Sequence, residues 1–139
     1  MPKILIVEDD FDIQELLENF LQENAYKTAT ANDGIEAITL FNNNQFDLIL
    51  LDIMLPKIDG YTICELIRKQ SNIPIIMLTA LDSEEQQIKG LDLQIDDYIT
   101  KPFSMPILLR KIAAILRRSN QGTINSPHTI QYQNLVLSL

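Results

Sequence analysis

Four short apolar runs in this chain each end in a polar residue able to do chemistry. Ile4-Leu5-Ile6-Val7 runs into Glu8-Asp9-Asp10, and Leu48-Ile49-Leu50-Leu51 into Asp52. Ile75-Ile76-Met77-Leu78 ends in Thr79, and Tyr98-Ile99-Thr100 in Lys101-Pro102. Short apolar runs between helical patterns read as buried parallel strands, and in an open α/β sheet ligands bind outside the carboxyl ends of the strands. Glu8, Asp9, Asp52, Thr79 and Lys101 are therefore expected around one crevice. Carboxylates packed together repel, and a divalent cation removes that penalty. Mg²⁺, or Mn²⁺, takes oxygen ligands and keeps several waters; Asp9 and Asp52 are the expected direct ligands, with Glu8 acting through water.

Asp52 follows four aliphatic residues, so its backbone is expected to be buried while its carboxylate reaches the crevice. A carboxylate can accept a phosphoryl group as an acyl phosphate. Such transfer depends on positioning and on cations that match the charge of the equatorial oxygens. The metal supplies one cation and Lys101, held between a strand end and a proline, the other. Thr79 can hydrogen-bond a phosphoryl oxygen. Blander readings stand beside these: Glu8-Asp9-Asp10 as a helix N-terminal charge cluster, Thr79 as a β-branched strand terminus, and Tyr98 as a core aromatic with a polar tip. The first suits Asp10 well and the remote Asp52 poorly.

The elements that must position these residues alternate along the chain. Ile13, Leu16, Leu17, Phe20 and Leu21 follow the helical i, i+3, i+4 rule, with Asp10 or Asp12 as cap. Tyr26 to Thr30 is a weaker strand. Ile35, Ala37, Ile38, Leu40 and Phe41 form a second amphipathic helix after Asn32-Asp33-Gly34. Asp47 to Leu51 is the third strand, and Pro56, Asp59 and Gly60 mark a loop. Ile63, Leu66 and Ile67 stripe a third helix. A fourth helix is expected over 83–91. Met105, Leu108, Leu109, Ile112 and Leu116 stripe a fifth, ending at Arg117-Arg118 as its dipole prefers. Five βα units predict an α/β, flavodoxin-like, doubly wound five-stranded parallel sheet of order 2-1-3-4-5 with five helices. That order sets strands one and three side by side, and with them Glu8, Asp9 and Asp52.

The 139 residues leave room for one domain and a short extra piece, and the 46% hydrophobic fraction suffices for a core. A net charge of −8 argues against nucleic-acid binding by this chain itself. Cys64, the single cysteine, reads as an inert buried thiol. Residues 119–139 lack the apolar stretch of about 20 residues that a membrane span needs, and with no cationic region before an apolar one no signal peptide is expected and a reducing cytoplasm fits. The expected organisation is a domain over 1–118, a polar linker over 119–128, and one or two strands over 129–139 that lack partners here.

Taken together, Ile4–Asp10, Leu51-Asp52-Ile53-Met54-Leu55-Pro56-Lys57-Ile58-Asp59-Gly60, Met77-Leu78-Thr79-Ala80 and Asp96-Asp97-Tyr98-Ile99-Thr100-Lys101-Pro102-Phe103 resemble the receiver domain of two-component response regulators. The likeness covers residues 3–118. The last motif and the strand-like tail resemble the OmpR/PhoB subfamily, whose members carry a C-terminal winged-helix DNA-binding domain; here only its first strand or two would be present. The resemblance implies that Asp52 takes a phosphoryl group from a sensor histidine kinase. It further implies that Glu8, Asp9, Asp52 and the Met54 backbone carbonyl organise Mg²⁺, that Lys101 and Thr79 contact the phosphoryl group, and that Tyr98 swings inward on activation. A homodimer would form through the helix over 83–91, the following strand and the last helix, a face holding Asp96, Asp97, Ile107, Lys111 and Arg118. The first helix, near Phe11, Ile13 and Gln14, with the loop after Lys101, would dock the kinase. DNA would be reached only through the missing domain.

The chain departs from the family pattern in three places. Gln94-Ile95 stands where the family has Gly-Ala. On the dimer face Asp97 with Lys111 and Asp96 with Arg118 can still pair, but Ile107 and Gln87 replace one ion pair. Met54 and Leu81, two positions beyond Asp52 and Thr79, cannot orient a water, which implies slow loss of phosphate. Other classes remain to be weighed. A stand-alone phosphorelay or interaction receiver would lack a winged helix after Pro127. An aspartyl-nucleophile phosphatase needs a second Asp where Met54 stands. A flavin-binding flavodoxin needs small and hydroxyl residues where Glu8-Asp9-Asp10 would repel a phosphate.

Overall fold

The apolar runs form the middle of a sheet because neither of their faces meets water. In the computed structural model, which describes residues 1–79, 95–100 and 104–125, Ile4 to Val7, Leu48 to Leu51 and Ile75 to Leu78 are all fully buried. The elements are β1 (Lys3–Val7), α1 (Phe11–Glu23), β2 (Lys27–Ala31), α2 (Gly34–Asn43), β3 (Leu48–Asp52), α3 (Gly60–Arg68), β4 (Ile75–Thr79), β5 (Asp97–Thr100) and α4 (Met105–Asn125). The strands make one parallel sheet of order β2-β1-β3-β4-β5. This is the expected flavodoxin-like order. The helix expected over 83–91, and the tail over 129–139, lie outside the described residues.

Alternation along the strands divides the core in two. Leu5, Val7, Ile49, Leu51, Ile75 and Met77 pack with Ala37, Ile63, Cys64 and Ile67 of α2 and α3. Ile4, Ile6, Leu48, Leu50, Ile76 and Leu78 pack with Leu17 and Leu21 of α1 and Leu108, Ile112 and Ile115 of α4. Helices thus cover both faces, as buried parallel strands require.

Local chemistry sets the helix ends. The Asp10 carboxylate accepts from the backbone N–H groups of Asp12 and Ile13 at 3.0 and 3.2 Å and opens α1. Asp33 caps α2 by accepting from Glu36 N at 2.9 Å, while Glu36 reaches back to Asn32 N at 2.6 Å. Asp59 caps α3 through Thr62 N at 2.8 Å. Each such cap stabilises by about 1 kcal/mol. At the end of α1, Tyr26 N donates to Leu21 O at 3.0 Å and Ala25 N to Gln22 O at 3.2 Å, a Schellman closure with Ala25 at φ 71°.

The opposite edge of the sheet is stitched by polar contacts. Arg68 donates to the Ile73 carbonyl at 2.7 Å and stands 3.5 Å from Asp96. Asp96 in turn accepts from Ile75 N at 2.8 Å and donates its own N–H to the Ile75 carbonyl at 2.9 Å.

Two expectations are corrected. The last helix does not stop at Arg117-Arg118; α4 continues to Asn125. After Pro106 in its first turn the next proline is Pro127, so nothing in 119–125 forbids helical backbone. Ile35 and Leu16, read as part of their helices' apolar stripes, are exposed at 55% and 54%. Ile35 stands in the first turn of α2, beyond the edge of the packed face. Strand bounds otherwise shift by about one residue.

Candidate functional site

Because β1 and β3 are neighbours in register, with Val7 opposite Leu51, the residues that follow them meet at the carboxyl edge of the sheet. Carboxylate oxygens of Glu8, Asp9 and Asp52 all lie within 4.8 Å of one another. Glu8 is fully buried, Asp52 is 2% exposed and Asp9 is open to solvent. These are hard oxygen donors, crowded and largely dry, a set suited to a divalent cation.

Glu8 and Asp52 are each held by the backbone N–H two residues on. Asp10 N donates to Glu8 Oε2 at 3.1 Å, and Met54 N donates to Asp52 Oδ1 at 3.0 Å. Met54 leaves β3 with an exposed side chain. The loop after Asp52 turns back so that Gly60 N donates to the Ile53 carbonyl at 3.0 Å, which sets the start of α3 directly on the end of β3. Lys57, at φ 69°, reaches Asp33 at 3.2 Å and ties that loop to the start of α2. Asp33 is held below the ordinary carboxylate value first by the Glu36 N–H and then by Lys57.

Thr79 closes β4 beside Asp52, and Thr79 pairs in register with Thr100. Lys101 and Gln94 lie outside the described residues. Tyr98 is half-buried and packs against the α2–α3 core together with Ile95. Tyr98 also makes a side-chain hydrogen bond with Tyr61. Burial pushes the Tyr61 hydroxyl above its ordinary pKa, Asp59 adds to this, and the Tyr98 bond opposes it. Cys64 is buried, and burial first of all pushes its thiol up, with Arg68 opposing and Asp96 and Glu65 adding.

Of the residues expected on a dimer face, Ile107 is 52% exposed. Lys111 is 2.7 Å from Asp97 and Asp96 is beside Arg68, both within one chain. Arg118, expected to face Asp96, is exposed.

Gln14 departs from its reading as a docking residue: it is 6% exposed. Its Nε2 donates to the Glu8 carbonyl at 3.0 Å, the Asn32 Oδ1 at 3.0 Å and the Ala31 carbonyl at 3.4 Å. The signal was present in the spacing, since Gln14, Leu17 and Leu21 share the buried stripe of α1. Phe11, by contrast, is 68% exposed.

The family description "Response regulator receiver domain" matches residues 4–113. A probable transcriptional regulator, ycf27, of Guillardia theta is 48% identical over 124 residues, which cover 89% of this chain and 49% of that protein. The regulatory protein VanRB of Enterococcus faecalis is 46% identical over 117 residues, 84% of this chain and 53% of that protein. The chain thus spans about half the length of the curated relatives it matches. Among solved structures, the receiver domain of the Francisella response regulator 1452 superposes with a TM-score of 0.82 at 41% identity, covering 86% of this chain and 99% of that one.

Proposed function

The chain belongs to the response regulator receiver domain family of two-component systems, and from that premise we propose that it accepts a phosphoryl group on Asp52 from a sensor histidine kinase. The observation that carries the reading is the meeting of Glu8, Asp9 and Asp52 carboxylates within 4.8 Å at the end of β1 and β3. The donor set fits Mg²⁺ or Mn²⁺, held by Glu8, Asp9, Asp52 and the Met54 carbonyl. When bound, the ion neutralises charge on the phosphoryl oxygens.

Asp52 supplies the nucleophile. One carboxylate oxygen forms the new bond to phosphorus, the phosphorus–nitrogen bond of a phosphohistidine breaks, and the imidazole leaves with the electron pair. The N–H of Met54 fixes the other oxygen, Oδ1, so that the carboxylate presents one face. Thr79 and Lys101 contact the transferred group, Lys101 as the second cation. Tyr98 moves inward to report the change. The exposed Phe11 and the half-buried Ile13 of α1 guide the kinase.

We further assign the chain to the OmpR/PhoB type. Its output is a homodimer through the face that carries Asp96, Asp97, Ile107, Lys111 and Arg118, and transcriptional control through a winged-helix domain beyond residue 129. The half-length match to transcriptional regulators supports this. A cytoplasmic setting follows from that role; among the described residues no helix is long and apolar enough to cross a membrane.

The test is intact mass after incubation with Mg²⁺ and acetyl phosphate, with Asp52→Ala beside the parent. A Mg²⁺-dependent phosphoryl adduct on the parent alone is expected. An adduct of equal yield on Asp52→Ala, or none on the parent even with a histidine kinase donor, overturns the assignment.

A further inference from the structure

Glu8 and Asp9 sit on a turn between β1 and α1, and a turn of this kind needs something to set its height above the sheet. Its backbone joins the edge of β2 through Glu8 N, which donates to the Ala31 carbonyl at 3.1 Å. A further polar tie comes from α1 itself. Gln14 lies one turn into that helix, buried, with its carboxamide directed back under the acids. Nε2 donates to the Glu8 carbonyl at 3.0 Å and, on its other side, to Asn32 Oδ1 at 3.0 Å.

Asn32 is itself held. Its backbone N–H donates to Glu36 Oε1 at 2.6 Å, within the cap of α2. The next residue, Asp33, receives Lys57 from the loop that follows Asp52, at 3.2 Å. The segment Asn32-Asp33 therefore touches both halves of the acid pocket: the Glu8–Asp9 turn through Gln14, and the Asp52 loop through Lys57. The two ties differ in kind. Lys57 is 60% exposed, and exposed pairs contribute little. The Gln14 bond to the Glu8 carbonyl is buried and that to Asn32 half-buried, and a buried hydrogen bond is costlier to lose than an exposed one.

We propose that Gln14 is a positioning residue for the acid pocket: anchored on Asn32, its carboxamide holds the Glu8 carbonyl and so sets where Glu8 and Asp9 present their carboxylates toward Asp52. The proposal rests on the metal-binding reading of that pocket and names the residue that tunes it. Groups behind the ligands orient them, and their loss typically weakens metal affinity by about 10–100-fold. An apolar residue of similar size at position 14 preserves the packing against Leu17 and Leu21 and removes the carboxamide with its hydrogen bonds.

The experiment is calorimetric titration of Mg²⁺ into the whole unphosphorylated chain, with melting in EDTA measured in parallel. For Gln14→Leu, Kd is expected to rise about tenfold. For Asn32→Ala, which removes the anchor from an exposed position, the rise is smaller and in the same direction. In the double variant the two effects do not add, because they act through one brace. A purely structural role lowers the melting temperature and leaves Kd in the folded protein unchanged; that result in both variants overturns the proposal. Should Gln14→Leu fail to fold, Asn32→Ala decides alone by the same criterion. If the parent binds no Mg²⁺, or Asp9→Asn binds as well as the parent, the metal reading itself fails, an outcome distinct from normal parent binding with unmoved variants.

Discussion

A β-carbon on Gly60 would stand 2.5 Å from the carbonyl oxygen of Asp52 and 2.7 Å from Ile53 Cα. The first residue of α3 thus rests on the backbone of the proposed phosphoryl acceptor. Backbone cannot yield as a flexible side chain can, so Gly60→Ala is expected to destabilise by about 1–3 kcal/mol, the usual range for overpacking. It should also slow acetyl phosphate labelling of the folded protein, since α3 and the end of β3 must part. Chemical denaturation and labelling rate check the two effects separately.

Ala25 closes α1 in a conformation that favours glycine, at φ 71°. A left-handed residue with a β-carbon costs about 1–2 kcal/mol, while glycine gives back part of this as unfolded-chain entropy, about 0.4–1 kcal/mol. Ala25→Gly is therefore expected to be neutral to stabilising, by up to about 1 kcal/mol. This reverses the usual sign of an Ala-to-Gly change in or near a helix. Urea denaturation of the two proteins decides it.

Asp33 is held below its ordinary value of 3.8 by the Glu36 N–H and by Lys57. The folded form thus binds this proton less readily than the unfolded chain. The contribution is present above 3.8 and is lost as pH falls through the lowered folded value. Asp33→Ala should melt below the parent near neutral pH, and the two melting curves should converge as pH drops beneath the carboxylate range. A gap that persists in acid would assign the difference to the cap geometry and not to the charge.

Cys64 is buried against the sheet with its thiol held above the ordinary range. Iodoacetamide should therefore leave the native protein unmodified and add one label after denaturation. Rapid native labelling would place the thiol in a looser environment than α3 provides.

Phosphate on Asp52 should persist well beyond seconds. Hydrolysis needs a water oriented for in-line attack, and Met54, which is exposed beside the acceptor, offers it no polar group. Met54→Asn should shorten the lifetime. Loss of label from the isolated phosphoprotein, followed by mass, gives both rates; equal rates would mean that position 54 does not govern hydrolysis.

The parts of this molecule legible from residues alone were those set by continuous burial. Ile4 to Val7, Leu48 to Leu51 and Ile75 to Leu78 announce buried strands by length and branching, and the fully buried positions agree. β2 was a fainter signal because Thr28, Ala29 and Thr30 on an edge strand are only half-buried. The meeting of Glu8 with Asp52 followed from strand order, a non-local fact that topology rules supply. Gln14 was misread because its type suggests a surface while its spacing with Leu17 and Leu21 puts it inside. The end of α4 was misread because Arg117-Arg118 resembles a dipole-matched terminus, yet a charge preference does not stop a helix. Ala25 carries no stop signal of its own; the closure comes from the bonds of Tyr26 and Ala25 to the last turn.

The Arg68–Asp96–Ile75 contacts fasten the beginnings of β4 and β5 to each other and to the end of α3. A strand pinned at one end has a fulcrum. Displacement at the far ends, where Thr79 stands opposite Thr100, is then a swing about that fulcrum and not a slide of the whole strand.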